Sequence, residues 1–593
     1  MRNFTMLFAL LLVWGFTNAQ DTIRVAPDYI NGGELNKAIA ENGPDKVYLL
    51  EVNAFYTLTS TIEFLRPTGN PNAWYHIVGE IPKTAADFMP VIQTGLNAEN
   101  KPFSHMFTVK ADVSFKNIFI ANQASTGELG DQNIGIEDDV KLVIDGCTVD
   151  PIGRIGFING NELSGGTRLY VTNNTLLRHG DPYSPNGGHV FWGVYADTMY
   201  IENNSIISTD NNVIAGDDAT DNIDFLWFNH NTVAFHDVGL LPNRTLPATY
   251  VTNNLFYDLT TYVQQHGWAA IDPENGSSGT YPCLAMADTA RIAGVLETLP
   301  SKRTHLWNRN CLFVSQAVRD TILGAAVKDP TDNQLWQFPV LWNSDVPHYF
   351  VTNWAEKGEA ILAASRENKM FNSPNFPNFV EDNTLYDMNP NFVDTRIEAF
   401  NKKSASSAIY WYRVNKLLKG GNPAVQESQF WDVDKWAGTT AAMYPMVWPR
   451  WNGAYTNSTL LKASSDGLPL GDLNAFPEAK ALWEKNKVKS TNHILSLNTD
   501  QLDLTTGIAD KKVSKESSLS TYPNPGKDVI TVNSDNALKS LEVYDVSGKL
   551  IKKIEMQNSR SRDINISTLD PGVYLLKGIS ATGENYTRKF VKK

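Results

Sequence analysis

The 593-residue sequence predicts an all-β chain, a right-handed parallel β-helix followed by a small Ig-like β-sandwich. Three observations predict it. A short apolar segment with an Asn-rich corner returns through the first half of the chain. Strand-and-turn alternation fills residues 519–593. A polar, lysine-bearing stretch lies between the two.

The order along the chain starts with an export leader over residues 1–19. Arg2 gives it a positive start, Met6 to Phe16 a short apolar run, and Thr17-Asn18-Ala19 a small-residue cleavage site before Gln20. That run is too short for a membrane span, and no later segment reaches ~18 uninterrupted apolar residues. Residues 36–41 suit a helix covering the first coil, because a bare terminal rung of a solenoid is a sticky edge.

The repeat follows. It reads LYVTNNTLL at 169–177, MYIENNSII at 199–207, LWFNHNTVA at 226–234 and TYVTNNLFY at 249–257. Looser copies are VSFKNIFI at 113–120, LVIDGCTV at 142–149 and HLWNRNCLF at 305–313. Aligned on the corner, one column holds Cys147, Asn174, Asn204, Asn231 and Asn254, at steps of 27, 30, 27 and 23 residues, with Asn310 after an insertion. Such steps suit one coil of short strands and tight bends. Asn tolerates the left-handed conformation, and its amide can bond the Asn stacked one rung away. Period-2 alternation sends Val171, Ile201, Phe228 and Val251 to one interior stripe. A sandwich would not hold one residue type at one corner through successive turns, and propeller blades run nearer 40 residues.

These corners resemble the Asn ladders of the pectin-lyase-like parallel β-helix superfamily, clearly over about residues 45–320 and more loosely over 320–490. The resemblance implies the fold and leaves the reaction open. In the looser part, Asn389-Pro390-Asn391-Phe392 reads as one more corner, and Trp336, Trp342, Trp354, Trp411, Trp431, Trp436, Trp448 and Trp451 as core or cap aromatics. Residues 464–477 (SSDGLPLGDLNAFP) resemble a segment near the end of many secreted Bacteroidota β-helix proteins, and residues 478–487 suit a short helix over the last rung. The helical body thus spans 20–494, with a linker over 495–518.

Residues 519–593 carry four ordered landmarks: Tyr522-Pro523-Asn524-Pro525, LEVYDVSGK at 541–549, LDPGVY at 569–574 and a terminal KFVKK. They resemble the C-terminal sorting domain of the type IX secretion system. That resemblance implies the secretion machinery as a partner, and an address outside the cell or on its surface, reached through the periplasm.

Composition narrows the function. A net charge of −13 argues against nucleic acid, which needs a basic stripe; an acidic polysaccharide still fits a local basic groove. Three cysteines, Cys147, Cys283 and Cys311, are too few for a disulfide scaffold and show no zinc-ligand spacing, so they read as buried small hydrophobes. No short catalytic signature such as G-x-S-x-G or H-E-x-x-H is present.

Counting outward from the corner, Arg178 aligns with Ser208 and Phe235, His179 with Thr209 and His236, and Asp210 with Asp237. Insertions at 181–196 and 211–224 leave the coil beside this patch, where a rigid solenoid builds its substrate grooves. The leading expectation is a polysaccharide lyase acting on an acidic glycan. Arg178, His179 or His236 supplies the base, Asp181 and Arg244 hold substrate, and Asp210, Asp217, Asp218 and Asp237 are oxygen ligands for Ca2+. A glycoside hydrolase would use paired carboxylates, with Asp217 and Asp218 the obvious pair. Gly216-Asp217-Asp218 is similar to the polygalacturonase-like branch, but that branch's Gly-His-Gly and Arg-x-Lys are absent. The third reading is a non-catalytic adhesin or glycan-binding surface. Aligned Arg/Asp pairs are often surface ion pairs of small value, and Asp-rich loops are often solvated turns.

Overall fold

The computed structural model describes residues 21–259, 290–320, 337–351, 378–394, 452–504 and 519–593, apart from internal breaks, chiefly 29–31, 161–165, 180–188, 210–212, 216–222, 237–246, 293–294, 298–302, 342–346, 546–549 and 581–584. The export leader, most of the linker, Cys283 and the eight tryptophans named above lie outside the described residues. Two compact units divide the chain, 1–504 and 505–593.

The first unit is a parallel β-helix. Three parallel sheets of eleven, ten and six strands run along it, each coil giving one strand to a sheet in turn. The first sheet extends from Thr22–Arg24 to Phe379–Asp382 and the second from Phe55–Thr57 to Leu385–Tyr386. Alternation sorts the side chains as expected. Val171, Ile201 and Phe228 are fully buried and Val251 nearly so, all in one core that continues through the coil. Helix α1 (Glu34–Asn42) adds Leu35 and Ile39 to that core beside Tyr48 and Leu50, slightly longer than expected and in the place expected.

The corner between the first and second sheets divides its work between two adjacent columns. Asn117, Gly146, Asn173, Asn203, His230, Asn253, Arg309 and Asn383 all take φ between 52° and 66°. This left-handed residue makes the bend, so Asn and Gly dominate there. The residue after it builds the ladder. Asn174 donates through Nδ2 to Asn204 Oδ1 (3.0 Å), Asn204 to Asn231 (3.0 Å), Asn231 to Asn254 (3.2 Å) and Asn254 to Asn310 (2.9 Å). Each Oδ1 also accepts the backbone N–H one rung back, and each Nδ2 donates to a first-sheet carbonyl such as Ile144 O or Val171 O. Burial this deep is tolerated because every amide atom has a partner.

Two expectations change. The last corner is Asn383-Thr384, with Thr384 Oγ1 accepting from Trp307 Nε1 at 3.1 Å. Asn389–Phe392 lies beyond the final strands and bridges to Tyr455 instead. Helix α2 (Pro477–Leu495) is longer than expected and lies against the outward side chains of the first sheet, Tyr200, Trp227, Tyr250 and Leu306, through Ile494. Cys147 and Cys311 are buried free thiols, pushed up to about 12 chiefly by burial.

The second unit is one five-stranded antiparallel network. Its long strands, Val529–Tyr544 and Leu550–Asn565, slip register midway. One half of the first pairs with Leu519–Tyr522 and the other with Gly572–Ser580. All close on one core of Ile530, Val532, Leu541, Met556, Leu576 and Phe590. Bulged strands that change direction let a single sheet cover both sides of a small core.

Candidate functional site

The register that the repeat implied is present in the backbone. Thr175–His179, Ser205–Thr209 and Thr232–His236 pair in parallel, aligning His179 with Thr209, Thr209 with His236, and His236 with Leu259. Arg178 lies one residue before this column. His179 and His236 stand two rungs apart, about 10 Å at strand spacing. Two of these strands, Thr175–His179 and Ser205–Thr209, end just before the insertions at 181–196 and 211–224, so the column marks the insertion-bearing end of the second sheet. Asp181, Asp210, Asp217, Asp218, Asp237 and Arg244 lie outside the described residues. Among the described residues no group of three or more His, Cys, Asp or Glu is placed to hold a metal ion.

A second assembly sits at the corner itself, and the sequence reading passed over it. Residues 463–474 form a strap that runs along the left-handed column. Arg309 donates to Ala463 O (3.4 Å), Asn253 Nδ2 to Ser465 Oγ (2.8 Å) and Asn203 Nδ2 to Asn474 Oδ1 (3.0 Å). Asp472 accepts from Ser205 Oγ at 2.9 Å. Gly471 takes φ +79°, and a Cβ there would meet Thr232 Oγ1 at 2.4 Å. Only glycine lets the strap lie this close.

His230 anchors the strap. Its Nε2 stands 3.4 Å from Asp466 Oδ1 and its Nδ1 3.1 Å from Gly471 O, with the Trp483 ring packed edge-on. Asp466 also accepts from Ser464 (2.6 Å) and Ser490 (2.8 Å). Burial disfavours the charged form of each. For His230 the Asp466 carboxylate outweighs it and holds the imidazole above its ordinary value; for Asp466, His230 and the serine hydroxyls hold the carboxyl below. His230 is thus a structural residue, with a partner 236 positions away.

Helix α2 is fixed by a buried carboxylate. Glu202 meets Lys487 Nζ at 2.5 Å, Tyr200 OH at 2.7 Å, and Trp227 Nε1 and Asn229 Nδ2 at 2.9 Å. Burial raises its pKa, but Lys487 and the two nitrogen donors more than compensate and hold it below the ordinary value. In the sequence Glu202 occupies the same register column as Lys116, Asp145 and Thr172.

The comparisons with known proteins bear on the second unit. Residues 520–593 match the secretion system C-terminal sorting domain. The sorting domain marks the chain as a secreted Bacteroidota protein that engages the type IX machinery and is exported to the cell surface or beyond. No described helix is long and apolar enough to cross a membrane. Among solved structures the chain is similar to PorZ, a bacterial surface component of the type-IX secretion system of Porphyromonas gingivalis, at 20% identity and a TM-score of 0.11. That overlap covers 13% of this chain and 11% of PorZ, so the chain spans about a tenth of that protein's length. It is also similar to CopC from Methylosinus trichosporium OB3b, at 16% identity over 12% of this chain and 88% of CopC, with a TM-score of 0.11. No curated protein matches the chain.

Proposed function

We propose that this exported β-helix protein cleaves an acidic polysaccharide as a lyase at the loop-bearing end of its second sheet. The observation that supports the reading is the register column that holds His179 and His236 two rungs apart, with Arg178 one residue before it. A lyase needs a base to take the proton beside the uronate carboxylate and a cation to stabilise the charge that develops. Arg178, His179 or His236 supplies the base, and Asp181 and Arg244 position the glycan. Asp210, Asp217, Asp218 and Asp237 are the oxygen ligands that Ca2+ prefers, and that ion would neutralise the substrate carboxylate.

The test is ultraviolet absorbance of the unsaturated uronate product across polygalacturonate, alginate and hyaluronan, with and without Ca2+. A rise abolished by Arg178→Ala or His179→Ala supports a lyase at this column. No rise, together with no new reducing ends, transfers the reading to a glycan-binding surface protein. New reducing ends without absorbance point to the hydrolase pair Asp217 and Asp218.

A further inference from the structure

The outward face of the first sheet carries a second feature, in the rungs ahead of those packed on α2. Successive strands align Trp74 with Asp112, and Lys141 with Arg168, at one level. Two residues on, His76, Ser114, Val143 and Tyr170 form the parallel row. Trp74 and His76 lie with their rings parallel, 2° apart in plane and 5.4 Å between centroids. The Lys141 ammonium sits 5.2 Å from the Trp74 ring and 5.4 Å from the Tyr170 ring. Arg168 is exposed, and the other members of the group are half-buried apart from Ser114 and Val143.

Arg66 lies 3.8 Å from Asp112, and the Asp112 carboxylate is also capped by the Lys141 backbone N–H at 2.9 Å. Asp45, at the border, accepts the Trp74 N–H and the Asn70 amide. Among the described residues neither Lys141 nor Arg168 forms an ion pair. Burial, offset by Asp112 and reinforced by Arg168, lowers the Lys141 pKa, as expected for cations crowded on one low-dielectric face. Burial, with Lys116 adding to it, brings His76 down to about 4, leaving it a neutral ring bonded to Ser114 Oγ at 2.8 Å. The face therefore joins a flat aromatic surface to Lys141 and the exposed Arg168, with Asp139 and Asp197 at its border beside Gly166.

We propose that this face is a binding platform for an acidic polysaccharide, separate from the second-sheet column. The C–H face of a sugar packs against the Trp74–His76 pair, and its carboxylates meet Arg168 and Lys141. Each such charge-assisted contact is worth about tenfold in affinity, about 1.4 kcal/mol. The proposal shares the acidic ligand of the previous reading but none of its residues.

Affinity electrophoresis of the full chain in gels containing polygalacturonate tests it, with dextran as the neutral control. The wild type is expected to be retarded by polygalacturonate alone, less so at high salt. Arg168→Glu, a surface change that leaves the core intact, is expected to weaken binding at least tenfold, Lys141→Ala by a similar factor and Trp74→Ala several-fold. His179→Ala is expected to keep the retardation even where it abolishes cleavage, which separates failure of the platform from failure of the lyase reading. Equal retardation of the wild type and Arg168→Glu, loss of retardation in His179→Ala, or no retardation of the wild type would each overturn the platform.

Discussion

Replacing Asn231 by Ala tests whether the ladder holds the coil together. Asn231 Oδ1 accepts from the Asn204 backbone N–H (3.0 Å) and from Asn204 Nδ2 (3.0 Å). Its own Nδ2 donates to Ile201 O (3.0 Å) and to Asn254 Oδ1 (3.2 Å). All these groups are buried, so the substitution leaves two donors on Asn204 with no water to replace the lost acceptor. A buried unmet donor costs about 1–3 kcal/mol, so with partial relaxation the loss is about 3–4 kcal/mol. Solenoids open in parts, so hydrogen exchange at the Asn204 amide is a better readout than a single melting temperature. At about 1.4 kcal/mol per tenfold, exchange there should accelerate by two to three orders of magnitude. Asn173→Ala is the control. It is less buried and loses two bonds, to Asp145 (2.7 Å) and from Asn203 (2.7 Å), plus the ease of its left-handed turn, for about 1–2 kcal/mol. Equal effects of the two substitutions would refute the ladder argument.

Three further outcomes follow from the strap and the helix. Gly471→Ala forces a Cβ to within 2.4 Å of Thr232 Oγ1 at a left-handed position, so limited proteolysis should cut between residues 463 and 474 far faster than in the wild type. The His230–Asp466 pair makes strap docking depend on pH. The raised His230 pKa adds stability below its ordinary 6.5 that fades as pH rises through its folded value, and the lowered Asp466 pKa adds stability above 3.8 that fades on acidification through its own folded value. Protease resistance of the strap should therefore peak between those two ordinary values, and Asp466→Asn should flatten the profile. Lys487→Met leaves Glu202 a buried carboxylate without its cation; with Lys487 one-third exposed the loss is about 2–3 kcal/mol at neutral pH, shrinking in acid as Glu202 protonates, read by exchange across α2.

The coil was legible in the sequence because its rules are local. One left-handed Asn and one amide-bonding Asn per turn repeat at coil spacing, and alternation fixes the inside from Val171 to Val251. Residues 519–593 were legible through their turn landmarks. What escaped was long-range. His230 meets Asp466, and Glu202 meets Lys487, across more than 230 residues, and no local period marks such pairs. The sequence placed α2 over the last rung because solenoid ends need cover. The outward column Tyr200, Trp227 and Tyr250 draws it to the sheet face instead, where Ile494 covers the aromatic rings. Of the candidate site, the alignment of His179, Thr209 and His236 was legible by counting from the corner. The insertions beside it follow no coil rule, so the roles of their aspartates rest on residue type alone.

The most direct test of a glycan-working site on the second sheet is hydrogen exchange of the full chain with and without uronate oligosaccharides. The account predicts slowed exchange across Thr175–His179, Ser205–Thr209 and Thr232–His236 when the saccharide is present. Unchanged exchange in all three strands, with the saccharide bound elsewhere or not at all, would contradict it.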